Sequence, residues 1–285
     1  CYFQWRQSAA GAEKFHSSMV PHGGENTRVY RDVVKLGGIL QSLGDVVGSD
    51  RARAEVAIVF DWEAWRGAEL DSHPSEKLEY RREALEWFTA LTELGIRVDV
   101  VPSAMDLDGY RLVIAPVLYA VPAPLRDRLT AYVEGGGHLV TTYFSGIADE
   151  NDHIWLGGYP GAFREMLGIR VEEFRPLWEG ETVALSNGTS GSLWSEPIDI
   201  VADDVEVLAS YEGEEELGAA VTRRAVGSGS AAYVSTRLGV QGLAHLLPTL
   251  LEGACVASEL PAALRGKVEL VAREGANGRF DFYIN

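Results

Sequence analysis

Apolar and polar positions change their period several times along these 285 residues. Tyr2–Arg6 reads as a short strand, and residues 7–26 form a polar loop rich in Gly, Ser and His. Val29, Val33, Leu36, Leu40 and Leu43 then recur at three- and four-residue steps, which predicts a helix. Asn26 or Thr27 can cap its start, and Gly44 can end it in the left-handed conformation. DVVGSDRARA (45–54) is expected to be a linker. From Ala54 onward strands and helices alternate. EVAIVFDW (55–62) is a continuous apolar run, as expected of a strand covered on both faces. Ser75–Gly95 predicts an amphipathic helix that buries Leu78, Leu85, Phe88, Leu91 and Leu94. RVDVVP (97–102), YRLVIAP (110–116) and HLVTTYFSG (138–146) are further strands, with a helix over Pro122–Gly135. This rhythm predicts an α/β fold with a doubly wound parallel sheet.

The pattern then turns richer in strands: IRVEEF (169–174), TVALS (182–186), VEVLASYE (205–212), GAAVTRRAV (218–226) and GSAAYVST (229–236). A last helix is expected over Leu243–Ala254. After Pro261, KVELVARE and GRFDFYIN alternate apolar and polar residues across a Gly-Ala-Asn-Gly turn, the pattern of an antiparallel hairpin. The chain thus divides into three pieces, of which 54–257 reads as whole. Its first residue is not Met and its last strand pattern stops in mid-run, so both ends read as cut.

Composition narrows the function classes. With 25 basic against 42 acidic residues the net charge is −17, which repels nucleic-acid phosphates and anionic membranes. Two cysteines, Cys1 and Cys255, without a CxxC or a Cys/His cluster argue against a disulfide framework or a zinc site and fit a reducing, cytoplasmic setting. No apolar run approaches the roughly 18 residues of a membrane span, and no signal peptide is visible. No cofactor motif is present.

Four stretches, in this order, carry a resemblance: FQWRQSAAGAEKFHSSMVPH, AIVFDWEAWRG, DLDGYRLVIAPVLYAV and DENDHIWLGGYPGAFREMLGIRVEEF. Together they resemble the β-galactosidases of glycoside hydrolase family 42, over nearly the whole chain. The resemblance implies three parts. Residues 1–50 correspond to the last β/α unit of a (β/α)8 catalytic barrel. Residues 54–257 correspond to a flavodoxin-like domain that builds a homotrimer, and 262–285 to the start of a C-terminal β-sandwich. It implies retaining hydrolysis of terminal non-reducing β-D-galactose from β-galactosides, without a cofactor. Both catalytic glutamates would lie upstream of Cys1, leaving this chain inactive alone.

Glu13 and His16 in AEKFH match a Glu and a His that bind galactose hydroxyls in that family. A carboxylate accepts from two hydroxyls, and an imidazole donates or accepts. Without the family, such a pair in a polar loop is ordinarily solvated or caps a turn. Trp5 could offer an apolar face to the sugar's CH groups; the packing alternative sets it between barrel and helix, with Arg6 against a carboxylate. His22 is expected to shape its loop. Glu172 and Glu173 are strand neighbours pointing to opposite faces, so they cannot straddle one bond. Trp62 and Trp65 sit past the first strand of the middle piece, either as a subunit contact or lining a neighbour's cleft. Asp149–Asp152 and His153 suggest a metal, but the Gly-Gly and Pro-Gly around them read as an ordered loop without a calcium pattern. The middle piece alone also suits a non-catalytic flavodoxin-like oligomerisation or binding module. Its first strand-to-helix turn, WEAWRGAELDS, would repel a flavin phosphate. An amidotransferase-like site would need a Cys at a strand-to-helix turn, where neither cysteine falls.

Overall fold

The computed structural model describes residues 4–70, 73–213 and 217–285. The chain forms two units, Cys1–Ala52 with Ala272–Asp281, and Arg53–Val271 with Phe282–Asn285.

In the first unit, Tyr2 and Phe3 of the expected opening strand lie outside the described residues. Arg6 forms an isolated parallel bridge with Val20. Trp5 O accepts from the Val20 N–H at 2.8 Å, and Val20 O accepts from the Gln7 N–H at 2.9 Å, closing the polar loop at its base. Helix α1 (Arg28–Ser42) follows, with the Thr27 hydroxyl accepting from the Tyr30 N–H. It buries no residue fully, and Val29, Val34, Ile39 and Leu40 are exposed. The expected linker is structured instead: Gly44–Val46 forms a 3-10 turn, and Asp50–Arg51 pairs antiparallel with Glu274 and Arg273. An extended segment satisfies its backbone groups through such a ladder where it finds a strand edge. That edge belongs to Glu269–Gly275, which neighbours Gly278–Ile284 in the same small sheet.

The second unit is built on a nine-stranded sheet. Its strands are β1 (Val56–Val59), β2 (Val98–Val101), β3 (Leu112–Ala115), β4 (His138–Thr142), β5 (Thr182–Leu185), β6 (Ser190–Ser192), β7 (Val205–Glu212), β8 (Ala219–Val226) and β9 (Gly229–Val234). They lie in the order β2-β1-β3-β4-β9-β8-β7-β5-β6. The first five are parallel and the remaining four run antiparallel. The parallel sheet read from the sequence therefore covers just over half of the real one. Between β8 and β9 only Gly227 and Ser228 intervene, and two residues can join antiparallel strands but not parallel ones.

Every residue of β1 and β3 is buried, as their unbroken apolar runs require. Along β1 successive side chains enter different cores: Val56 and Ile58 one, Ala57 and Val59 the other. Helices α3 (Tyr80–Glu93) and α5 (Gly239–Gly253) pack together in the first core, through Trp87, Leu91, Leu247 and Leu250. Helix α4 (Ala123–Glu134) supplies Leu125, Leu129 and Val133 to the second.

Helix α3 corrects the expected register. Glu69 accepts the Tyr80 N–H at 2.9 Å and Glu79 keeps an extended backbone, so the helix begins at Tyr80 rather than near Ser75. Counted from there, Tyr80, Glu83, Ala84, Trp87, Ala90 and Leu91 form the buried stripe, and Leu85 is left exposed. Trp62 likewise is not a strand residue: it opens the short helix α2 (Trp62–Ala68), capped by the Asp61 carboxylate. The expected strand 169–174 is confined to Ile169–Val171, which pairs with Ile198–Ile200 in a separate two-stranded ladder. Glu172 and Glu173 lie beyond its end.

Candidate functional site

The polar loop of the first unit holds Glu13 and His16 in one turn, closed by the His16 N–H donating to Glu13 O at 2.9 Å. Both side chains are exposed. The Gln4 amide donates to Glu13 Oε2 at 3.1 Å, which orients the carboxylate and leaves its other oxygen for a ligand. Gln4 itself has φ of +62°, a left-handed conformation that a residue with a Cβ adopts only when its surroundings impose it. His22 shapes the loop from its far end: its N–H donates to Gln7 Oε1 at 2.9 Å, and its ring Nε2 lies 2.7 Å from Ser8 O. Trp5 is 69% exposed, its ring open rather than packed away.

In the second unit a cleft of about 560 Å³ opens beyond the C-terminal ends of the parallel strands, among Asp61, Arg66, Ser103, Tyr119, Arg128 and Asp152. Strands β2 and β3 flank β1 on opposite sides, so the connections out of β1 and β3 diverge here, where open α/β sheets place ligands. Asp61, Arg66, Ser103, Tyr119, Arg128 and Asp152 all have structural partners. Asp61 Oδ1 accepts from the Ala64 N–H at 2.8 Å, and its other oxygen accepts from the Ser103 hydroxyl. Arg128 donates to Ser103 O. The Tyr119 hydroxyl donates to Asp152 Oδ1 at 2.8 Å. The cleft is therefore a shaped surface rather than a nucleophile with its base. Beside it Trp62 and Trp65 stack with centroids 5.3 Å apart, and Trp62 is 59% exposed.

The suspected metal loop is explained by its own backbone. Asp149 Oδ1 accepts N–H bonds from Asn151 at 2.8 Å and His153 at 3.0 Å, which hold its carboxyl below the ordinary range. Among the described residues no group of three or more His, Cys, Asp or Glu side chains is placed to hold a metal ion. Cys255 is an exposed free thiol, and Cys1 lies outside the described residues.

Two groups that the sequence does not mark stand out. Strands β3 and β4 both run into strained residues, Val117 at φ +46° and Phe144 at φ +55°. The Val117 N–H is taken by Thr142 Oγ1 at 2.8 Å and the Leu118 N–H by Ser145 Oγ at 3.0 Å. Nearby, Glu196 is wholly buried. Its Oε1 accepts from Trp194 Nε1 at 2.8 Å and its Oε2 from the Tyr233 hydroxyl at 2.6 Å. Burial pushes its carboxyl up to about 7, against the pull of these donors and of the Phe144 N–H. The second group is Glu83, also buried, with Arg237 Nε 3.0 Å from its Oε1. Here too burial raises the carboxyl, and the guanidinium opposes it.

The sheet, the cleft and the loop meet a known pattern. The family model described as the β-galactosidase trimerisation domain matches residues 54–257, and one described as β-galactosidase matches residues 1–43. The chain belongs to the glycoside hydrolase family 42 β-galactosidases. It is 42% identical to β-galactosidase BbgII of Bifidobacterium bifidum, over 100% of this chain and 43% of that protein. It is 47% identical to a β-galactosidase of an Arthrobacter species, over 100% of this chain and 40% of that protein. The crystal structure of a β-galactosidase from Bacillus circulans sp. alkalophilus superposes with a TM-score of 0.92 at 35% identity, covering 99% of this chain and 43% of that one. The chain thus spans less than half the length of these relatives. Within this chain, the nine-stranded sheet, the cleft and both buried carboxylates fall in the segment matched as trimerisation domain, and the Glu13 loop falls in the other match. Among the described residues no helix is long and apolar enough to cross a membrane.

Proposed function

We propose that this chain serves a β-galactosidase that hydrolyses terminal non-reducing β-D-galactose residues with retention of configuration. The observation that carries the proposal is the match, along all of this chain, to curated β-galactosidases at 42% and 47% identity. In this reading residues 1–50 are the closing β/α unit of a catalytic barrel, 54–257 a flavodoxin-like trimerisation domain, and 262–285 the start of a β-sandwich. Glu13 and His16 bind galactose hydroxyls and Trp5 stacks on the sugar. Retaining chemistry needs two carboxyl groups about 5 Å apart, one nucleophile and one acid/base. We assign neither role to any residue of these 285 and expect no turnover from the chain alone. The enzyme acts without cofactor in the cytoplasm, as a homotrimer that engages neither nucleic acid nor membrane. The exposed Trp62, stacked on Trp65, supports a subunit contact at that face.

The test is a chromogenic β-galactoside assay on the purified 285-residue chain, alongside Glu13→Gln. No turnover is expected from either. Turnover that follows the protein and persists in Glu13→Gln would overturn the assignment of the chemistry to other sequence.

A further inference from the structure

Two anomalies meet at Gln4. Its φ of +62° is a conformation that Gly adopts freely and Gln rarely does. Its side-chain Oε1 is buried without a hydrogen-bond partner, although buried acceptors are normally paired. The other end of the same amide shows what this arrangement secures. Nε2 donates to Glu13 Oε2 at 3.1 Å, and a carboxylate only accepts, so the amide cannot turn over without losing that bond. Strained and unsatisfied residues persist where the surroundings impose them, and they gather at functional sites.

The main chain of Gln4 is fixed from across the loop. Gln4 O accepts the Met19 N–H at 3.3 Å, and the next carbonyl, that of Trp5, accepts the Val20 N–H. Glu13 has no such support. It is exposed, and the His16 N–H that closes its turn restrains the backbone while leaving the torsions of the side chain free. Among the described residues the Gln4 amide is the donor that restrains this carboxylate. Nine positions separate the two residues, so the bond ties the base of the loop to its tip. A carboxylate already held in place loses less rotamer freedom when a ligand binds than a free one does.

We propose that Gln4 is a positioning residue, which holds the Glu13 carboxylate in the orientation that accepts a galactose hydroxyl. The inference rests on the sugar-binding role proposed for Glu13 and assigns that role a support within the same loop. Gln4 acts through Glu13 rather than on the sugar.

The test uses the whole β-galactosidase polypeptide that contains these residues, with a chromogenic β-galactoside as substrate. Gln4→Gly removes the donor and takes the left-handed φ without strain, so it should fold as well as the parent, as checked by its urea midpoint. Its kcat/KM should fall about ten-fold, the value of one hydrogen bond to a charged group. Gln4→Glu supplies the reading that a merely structural role would not move. An ionised carboxylate there repels Glu13, whereas a protonated one donates to it. The deficit of Gln4→Glu relative to the parent should therefore be largest near pH 8 and shrink towards about pH 5.5. Glu13→Gln separates the two levels of the argument. If it lowers kcat/KM while Gln4→Gly matches the parent, or while the Gln4→Glu deficit is the same at every pH, the positioning role is overturned and the role of Glu13 stands. If Glu13→Gln matches the parent, the sugar-binding role itself fails and the inference falls with it.

Discussion

Replacing Glu196 by Gln should change how the stability of this protein depends on pH. Among the described residues no cation pairs with the carboxyl, which is held by Trp194 Nε1, the Tyr233 hydroxyl and the Phe144 N–H. Burial raises it from an ordinary 4.5 to about 7. A group raised in the folded state stabilises fully below its unfolded value, and that stabilisation is lost as pH climbs through the folded one. From 4.5 to about 7, at 1.36 kcal/mol per pH unit, the full loss is about 3 kcal/mol. The isoelectric point near 4.8 makes acid conditions unsuitable for measurement, so pH 5.5 to 8 is the usable window and about 2 kcal/mol of the loss falls within it. In Glu196→Gln the retained carbonyl still accepts from Trp194, and the new amide can donate to the Tyr233 oxygen. The Tyr233 proton then loses its acceptor, a penalty of about 1 kcal/mol that is the same at every pH. Urea unfolding of both proteins at pH 5.5 and 8 separates the two effects. The parent should lose about 2 kcal/mol more than the variant across the window. Glu83 titrates in both proteins and cancels. Parallel pH dependences would show that Glu196 is ionised in the folded state, and the reasoning from burial would fail.

Arg237→Ala leaves Glu83 and Glu86 without their shared guanidinium; loss of one partner from a buried pair costs about 3–5 kcal/mol, read as a lower urea midpoint with unchanged slope. Glu83→Gln in that background should recover part of the loss, and no recovery would exclude the stranded charge as its cause. Gly229→Ala would set a Cβ 2.0 Å from Gly137 O, a backbone atom, at the edge where β9 meets β4. The expected cost is about 1–3 kcal/mol, and an unchanged melting midpoint would refute the close approach. In sedimentation velocity the chain should run as a trimer. Trp62→Ala should weaken the association by about 2 kcal/mol if the stacked tryptophans anchor a subunit contact, and an unaltered distribution would move that contact elsewhere.

The elements that could be read from the sequence share a physical reason. Strands β1 and β3 are covered on both faces, so each must be apolar throughout, and a run such as Val56–Val59 has few other uses. Helix α3 was legible as a helix but not in its register. The acceptor that ends its first turn is Glu69, eleven residues back in the chain, and no local pattern announces such a bond. The antiparallel half of the sheet was visible as strands, but its partners were not, because β-pairing depends on the turns and edges that become available after folding. Glu13 and His16 became candidates only through the residues around them; two polar side chains in an exposed turn have no signature of their own.

The buried carboxylates explain why the rest stayed hidden. A Glu within RREALEW looks like the solvated side of an amphipathic helix, and Glu83 turns inward only because Arg237, far along the chain, meets it there. Glu196 is harder still, since beside the neighbouring Trp194 its donors are Phe144 and Tyr233, from separate stretches of the chain. Periodicity records which face of an element is apolar; it does not record where a polar exception finds its partner. Groups whose properties are set by distant partners are also those whose ionisation, pairing or ligand binding can change without unfolding the sheet. The chemistry of this domain beyond its packing is therefore concentrated where the sequence pattern is least informative.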